Sequence, residues 1–170
     1  MDKQSLRKWA KDKRKELDMA GISAVLADKL SKSQEYKSSK NIMIFYPKAD
    51  EVNLLSLLQD KTKNFYLPRI NGNELECCPY RQDDELKESS FHTLEPTCQA
   101  CNKTDLDMVV VPALATDKNN FRLGYGGGFY DRFLKDFKGT KIVCIPKELE
   151  VETVFPEKHD VTINLIIYSK

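Results

Sequence analysis

From Arg122 to Arg132 the chain reads Arg-Leu-Gly-Tyr-Gly-Gly-Gly-Phe-Tyr-Asp-Arg, which puts four of its seven glycines into eleven residues. Glycine takes positive φ without steric cost and lets backbone N–H groups come close to a ligand, so this stretch is a loop and breaks any regular element there. From Phe129 onward the apolar spacing turns helical over residues 129–137. A helix N-terminus, with its unpaired N–H groups and positive dipole end, then points into the loop and favours an anion. Arg122 and Arg132 carry forked donors suited to phosphate oxygens. Asp131 adds a carboxylate, and magnesium takes one or two of these while water and phosphate oxygens fill its octahedron. The residues alone leave a second reading open, a glycine-rich turn followed by a charged helix start.

Two common phosphate loops are excluded. The dinucleotide fingerprint G-x-G-x-x-G needs glycine where Phe129 stands, and the Walker pattern needs G-K-[ST] where the chain has Phe129-Tyr130-Asp131. The apolar run Met108-Val109-Val110-Val111-Pro112 is also separated from Gly124 by eleven residues, long for either motif.

Elsewhere the chain alternates period. A helix is expected over residues 3–17, with Leu6, Ala10 and Leu17 on one stripe and Lys3, Arg7 and Arg14 on a neighbouring one. A second helix carries Ile22, Val25, Leu26 and Leu30 and ends near Gln34–Tyr36. Residues 41–46 (NIMIFY) form a buried strand ended by Pro47, residues 52–60 a helix, 65–68 a strand and 74–80 a further strand. Polar residues 81–106 read as a surface loop with at most one short element. Strands follow at 108–112, 141–145 and 162–168. This order predicts a three-layer α/β/α fold with a mostly parallel sheet, built as a single domain from residues 1–170. Ligands gather at the carboxyl ends of strands in such sheets, where Tyr46, Pro68 and Pro112 fall.

Charge narrows the function. With 27 Lys and Arg against 26 Asp and Glu, the formal charge is +1, which argues against a nucleic-acid binder and makes any basic site local. No apolar run approaches bilayer length and the N-terminus is charged, so no membrane role is expected and the location is read as cytoplasmic. Five cysteines without a secretory signal fit reduced thiols. Cys98-Gln99-Ala100-Cys101 has half a zinc-site spacing, but the adjacent Cys77-Cys78 upstream suits zinc poorly, and structural thiols are expected.

Residues 107–134 (DMVVVPALATDKNNFRLGYGGGFYDRFL) closely resemble the signature of the 5-formyltetrahydrofolate cyclo-ligase (5,10-methenyltetrahydrofolate synthetase) family. Supporting matches run along the chain: an N-terminal Lys-x-x-x-Arg, Phe45-Tyr46-Pro47 with Glu51-Val52, Leu67-Pro68-Arg69, Leu94-Glu95-Pro96, and Glu157-Lys158-His159-Asp160. The resemblance implies a fold similar to the ribose-phosphate isomerase and coenzyme A transferase group. It also implies conversion of 5-formyltetrahydrofolate to 5,10-methenyltetrahydrofolate with ATP as co-substrate and Mg²⁺ as cofactor, in a monomer, without a covalent enzyme nucleophile. A reduced-folate binder without chemistry is the alternative.

By the same resemblance, ATP contacts fall to Lys3 and Arg7, to Arg122, Leu123 and Gly124, and to the run Tyr125, Gly126, Gly127, Gly128, Phe129 and Tyr130. The folate falls to Tyr46 and Glu51 and shares Tyr125, Gly126, Gly127, Gly128 and Phe129. Magnesium falls to Asp131 and Asp160. On the residues alone Lys3 and Arg7 belong to a solvated helix face, Tyr46 to the core, Glu51 to a helix start and Asp160 to an exposed turn. Arg69 reads equally as a contact for the glutamate tail or as a surface ion pair, and neither His92 nor His159 has a role in this chemistry. Two departures stand out, Leu54 where many similar proteins carry Thr, and Ile145-Pro146-Lys147 where they carry an Ala-Phe pair. The first removes a polar contact near Glu51, and the second alters a strand end expected near the site.

Overall fold

A computed structural model describes residues 1–170. Helix α1 spans Lys3–Arg14 and α2 spans Met19–Lys32. Asp2 caps the first by accepting from the Ser5 N–H, and Asp18 caps the second through Gly21. The expected extension of α1 to residue 17 tightens instead into three-residue turns, with the N–H groups of Lys15, Glu16 and Leu17 donating to the Asp12, Lys13 and Arg14 carbonyls. Ser33 leaves helical geometry at ψ 150° and accepts from Tyr36 N–H, so the expected single second helix is split and α3 covers Gln34–Ser38.

Strand β1 pairs over Asn41–Met43, shorter than the expected 41–46, although Ile44 N–H still donates to the Tyr66 carbonyl. Past Ile44 the chain turns away toward Pro47. The expected helix over 52–60 is a 3-10 turn at Leu55–Gln59 instead. Asn53 Oδ1 accepts from the Leu55 N–H and offers the backbone a local alternative to an α-helical start. Strands β2 (Asn64–Asn71) and β3 (Glu74–Pro79) form a hairpin, with Gly72 at φ 63° in its turn.

Residues 81–106, expected as a loop with at most one short element, contain a second hairpin, β4 (Leu86–Glu88) with β5 (Leu94–Pro96), and a 3-10 turn at Lys103–Asp105. Strand β6 is Met108–Val110. Between it and the glycines lies another hairpin, β7 (Ala115–Asp117) with β8 (Arg122–Leu123), which accounts for the long spacing. Helix α4 is only Phe129–Leu134, followed by β9 (Thr140–Ile145), β10 (Glu150–Val151) and β11 (Leu165–Tyr168).

The main sheet has the order β11-β9-β6-β1-β2-β3 and is parallel except for the β2–β3 edge. Alternation of side chains across it builds two cores. Met43, Val109, Val143 and Ile145 face Leu6 and Ala10 of α1 and Phe133 of α4. Ile42, Met108, Val110 and Ile142 face Leu26 and Leu30 of α2 and Tyr36 of α3. Helices therefore cover both faces of a mostly parallel sheet, as period-2 strands buried on both sides require.

Candidate active site

At the carboxyl ends of β1, β2 and β6 opens a cavity of about 690 Å³, a size that suits small-molecule ligands. Phe45 and Tyr46 reach it from the chain after β1, Pro68 and Ile70 from β2, and Pro112 from the chain after β6. The glycine loop forms one wall. Every residue named above for ATP, folate or magnesium lines this cavity: Lys3, Arg7, Tyr46, Glu51, Arg122 to Asp131, and Asp160.

The loop keeps its shape through backbone geometry and arginine contacts. Gly126 has φ 106° and Gly128, the residue before α4, has φ 72°, both in the region that strains a side chain. Arg7 Nε donates to the Gly124 carbonyl at 2.8 Å. No N–H from Gly124 to Gly128 donates to a backbone acceptor, so this wall offers donors to a ligand. With α4 only six residues long, the donors on offer to an anion are these amides and the side chains around them more than a helix dipole.

Arg122 and Arg132, paired in the sequence reading, have different fates. The Arg122 side chain is enclosed, 6% exposed, with its Nη1 donating to the Pro112 carbonyl and its Nη2 3.9 Å from Asp131 Oδ1. Burial pulls its pKa down and Asp131 opposes that pull. Arg132 turns away and donates to the carbonyls of Gly127 and Asn73. It braces the loop against the β2–β3 turn and does not line the cavity, which corrects its expected phosphate role.

The two aspartates meet at one end. Asp131 Oδ1 accepts from the Val161 N–H at 3.4 Å, next to Asp160 in the chain. Asp160 Oδ2 accepts from Lys3 Nζ at 2.8 Å and from the Glu157 N–H at 2.8 Å. Burial pushes the Asp160 pKa up, but the Lys3 and Glu157 contacts outweigh it and hold the carboxyl below its ordinary value. Their all-oxygen chemistry fits a hard cation completed by phosphate and water. No group of three or more acidic, His or Cys side chains is placed to hold a metal alone.

Glu51 is buried in the cavity wall. Its Oε1 accepts from the Lys48 N–H at 2.8 Å and its Oε2 from the Tyr125 hydroxyl at 3.0 Å. Burial, then Glu51, pushes the Tyr125 pKa up, so the phenol stays protonated. Arg14, grouped by helical spacing with Lys3 and Arg7, does not line the cavity and instead reaches the Tyr125 oxygen from behind.

Sequence reasoning missed Lys48, Phe91, Thr93, Glu95 and Glu157, all of which line the cavity. Phe91 sits at the tip of the β4–β5 hairpin, half-exposed and edge-on to Phe129 with ring centroids 5.9 Å apart. One aromatic in a polar stretch carries no periodic signal. Arg69 pairs with Glu76 at 2.7 Å and donates to the carbonyls of Pro96 and Cys98, so it fastens the second hairpin to β2 outside the cavity. Neither Leu54 nor Ile145-Pro146-Lys147 lines the cavity. Leu54 is a fully buried core residue, whereas Pro146 shares a small adjoining pocket with Arg14, Phe45 and Glu51, so this strand end lies behind the Glu51 side of the site.

A family model for the 5-formyltetrahydrofolate cyclo-ligase family matches residues 1–169. A 5-formyltetrahydrofolate cyclo-ligase of Haemophilus influenzae is 29% identical over 136 residues, covering 74% of this chain and 73% of the relative. One from Mus musculus is 26% identical over 165 residues, covering 86% and 81%. Among solved structures, Aquifex aeolicus 5,10-methenyltetrahydrofolate synthetase superposes with a TM-score of 0.88 at 30% identity, over 100% of this chain and 91% of that one.

Proposed function

The chain belongs to the 5-formyltetrahydrofolate cyclo-ligase family, and from that premise we propose that its cavity brings ATP and 5-formyltetrahydrofolate together and closes the folate ring at the expense of ATP. The observation that carries this reading is that one cavity gathers two kinds of group. Cations, loop amides and the carboxylates of Asp131 and Asp160 suit Mg-ATP, and the buried Glu51 carboxylate between hydrogen-bond donors suits a pterin. Residues 1–170 act as one unit, with a layered arrangement similar to the ribose-phosphate isomerase and coenzyme A transferase group. The proposed working unit is a monomer. No helix is long and apolar enough to cross a membrane, and five free cysteines suit a reducing cytoplasm.

The chemistry needs charge control and alignment, not a nucleophile on the protein. The formyl oxygen attacks the γ-phosphorus and ADP departs. N10 then attacks the activated formyl carbon and gives up its proton, the carbon–oxygen bond breaks, and phosphate leaves with the former formyl oxygen. Lys3, Arg7, Arg122 and the amides of Gly124 to Gly128 hold the triphosphate. Asp131 and Asp160 would hold magnesium, which supplies charge neutralisation at the phosphates when bound. Glu51 accepts from the aminopyrimidine edge of the pterin, and Tyr46 and Phe129 border the reduced folate. Leu123 and Tyr130 support the nucleotide side of the loop.

The test is absorbance at the methenyl product band after mixing the protein with 5-formyltetrahydrofolate, Mg²⁺ and ATP, beside an ATP-free control. ATP-dependent growth of the band is expected. No growth, with folate still bound by calorimetry, would replace the ligase with a non-catalytic reduced-folate binder.

A further inference from the structure

Arg14 is the most enclosed cation of α1, 4% exposed, and its Nε has no hydrogen-bond partner. Its two terminal nitrogens diverge. Nη2 donates to Asp50 Oδ2 at 2.9 Å and Nη1 to the Tyr125 hydroxyl oxygen at 2.9 Å. A guanidinium has no lone pair to offer, so the Tyr125 oxygen must accept this bond. Its own proton then goes to the remaining neighbour, Glu51 Oε2, at 3.0 Å.

The direction of that proton matters for the cavity. With Tyr125 donating to one oxygen and the Lys48 N–H donating to the other, Glu51 is fixed as an acceptor with one lone pair left on each oxygen. That face matches two parallel N–H donors of an aminopyrimidine. Were Tyr125 free to rotate, its hydroxyl would have no fixed partner and Glu51 would lose one side of its clamp. Tyr125 is 37% exposed, Lys48 Nζ lies 4.9 Å from its ring centroid, and its hydroxyl is held between Arg14 and Glu51.

We propose that Arg14 is a positioning residue for the folate half of the site, acting through the Tyr125 hydroxyl to hold Glu51 ready to accept from the pterin. The proposal rests on the assignment of Glu51 to the folate. Arg14 therefore differs in task from Lys3 and Arg7 on the same helix. Those side chains line the cavity at its phosphate end, whereas Arg14 sits behind the loop and touches no ligand. It also ties the glycine loop to the segment after β1, since Asp50 and Glu51 are adjacent.

The test uses calorimetric binding of 5-formyltetrahydrofolate and, separately, of Mg-ATP to the full chain and to Arg14→Met, Tyr125→Phe and the double variant. Each single variant is expected to weaken folate about tenfold, the worth of one charge-assisted hydrogen bond, and Arg14→Met, whose side chain does not line the cavity, to leave Mg-ATP affinity within about twofold. The double variant should resemble the singles, because both remove the same relay. Tyr125→Phe keeps the loop backbone and tests the relay even if Arg14→Met does not fold. Unchanged folate affinity in Tyr125→Phe, equal losses for both ligands in Arg14→Met, or fully additive losses would overturn the positioning role. Failure of the wild-type chain to bind folate at all would overturn the folate assignment itself, a result distinct from those three.

Discussion

Lys3 Nζ lies 2.8 Å from Asp160 Oδ2 and 3.1 Å from Glu157 Oε1, so a proposed phosphate ligand and a proposed metal ligand neutralise each other in the free protein. The pair joins the first turn of α1 to the segment before β11. If Lys3 takes phosphate and Asp160 the cation, as proposed, binding of Mg-ATP redistributes this pair. Lys3→Ala should then have effects of opposite sign. Affinity for ATP falls about tenfold, as one charge-assisted contact is lost. Affinity for Mg²⁺ without nucleotide rises, because Asp160 no longer faces an ammonium. Folate affinity stays the same. Calorimetry with each ligand alone checks all three, and a fall in Mg²⁺ affinity would refute the competition.

The same pair gives a pH signature. Asp160 is held below its ordinary value in the folded protein, so its stabilising contribution is fully present above the unfolded carboxyl pKa of about 3.9 and is lost as pH falls through the folded value. Asp160→Asn should cost about 1 kcal/mol at neutral pH. That difference from wild type should persist down to about pH 4 and vanish below it. Urea unfolding across this range measures it, and a difference that grows on acidification would contradict the assignment.

Asp131 lies beside the buried Arg122 as well as the proposed cation, so two consequences of removing it separate. Asp131→Ala should lower turnover at least a hundredfold, the scale of losing a preorganised electrostatic contact. The unfolding midpoint should fall by the equivalent of about 1 to 2 kcal/mol, because Arg122 keeps its bond to the Pro112 carbonyl. A cooperative unfolding transition together with lost turnover is the expected pattern. Turnover within tenfold of wild type would remove Asp131 from the phosphate end.

The central strands and the glycine loop were legible because their signals are local. An apolar run such as 108–112 has one economical fate in an α/β chain, and four clustered glycines can only be loop. What the sequence hid depends on depth and direction. Arg14 shares a stripe with Arg7, but seven residues separate them along α1, about 10 Å at the helical rise. Periodicity assigns a face and says nothing of what lies opposite at each height. Arg132 and Arg122 both flank the glycines, yet strand pairing of β8 turns one inward while the short α4 turns the other toward Asn73. The β4–β5 hairpin escaped notice since its strands are three residues each, too short for alternation to emerge.

Leu54 tests whether a departure from similar proteins concerns the site or the core. It is 2% exposed and packs in the cluster beneath α2. Leu54→Thr replaces buried methyl groups by a hydroxyl in apolar surroundings. About 2 to 3 kcal/mol of stability should be lost, with the Michaelis constants for ATP and folate unchanged within twofold. Thermal unfolding and steady-state kinetics check the two halves. Improved folate affinity would mean that this position does reach the ligand.

The cysteines predict a graded reactivity that the Cys98-x-x-Cys101 spacing alone would get wrong. Cys98 is exposed, whereas Cys101 Sγ stands 3.2 Å from Cys77 Sγ, across from β3. Burial pushes the Cys78 and Cys144 thiols up to about 12 and raises Cys77 and Cys101 as well, and only the thiolate attacks an alkylating agent. Iodoacetamide at neutral pH should therefore modify Cys98 first in the native protein, with Cys77, Cys78 and Cys144 modified only after unfolding. Peptide mass spectrometry over a time course reads the order. If Cys98 and Cys101 instead protect each other as an oxidised pair, neither is labelled until a reductant is added, and the Cys77–Cys101 neighbourhood is not the one that governs these thiols.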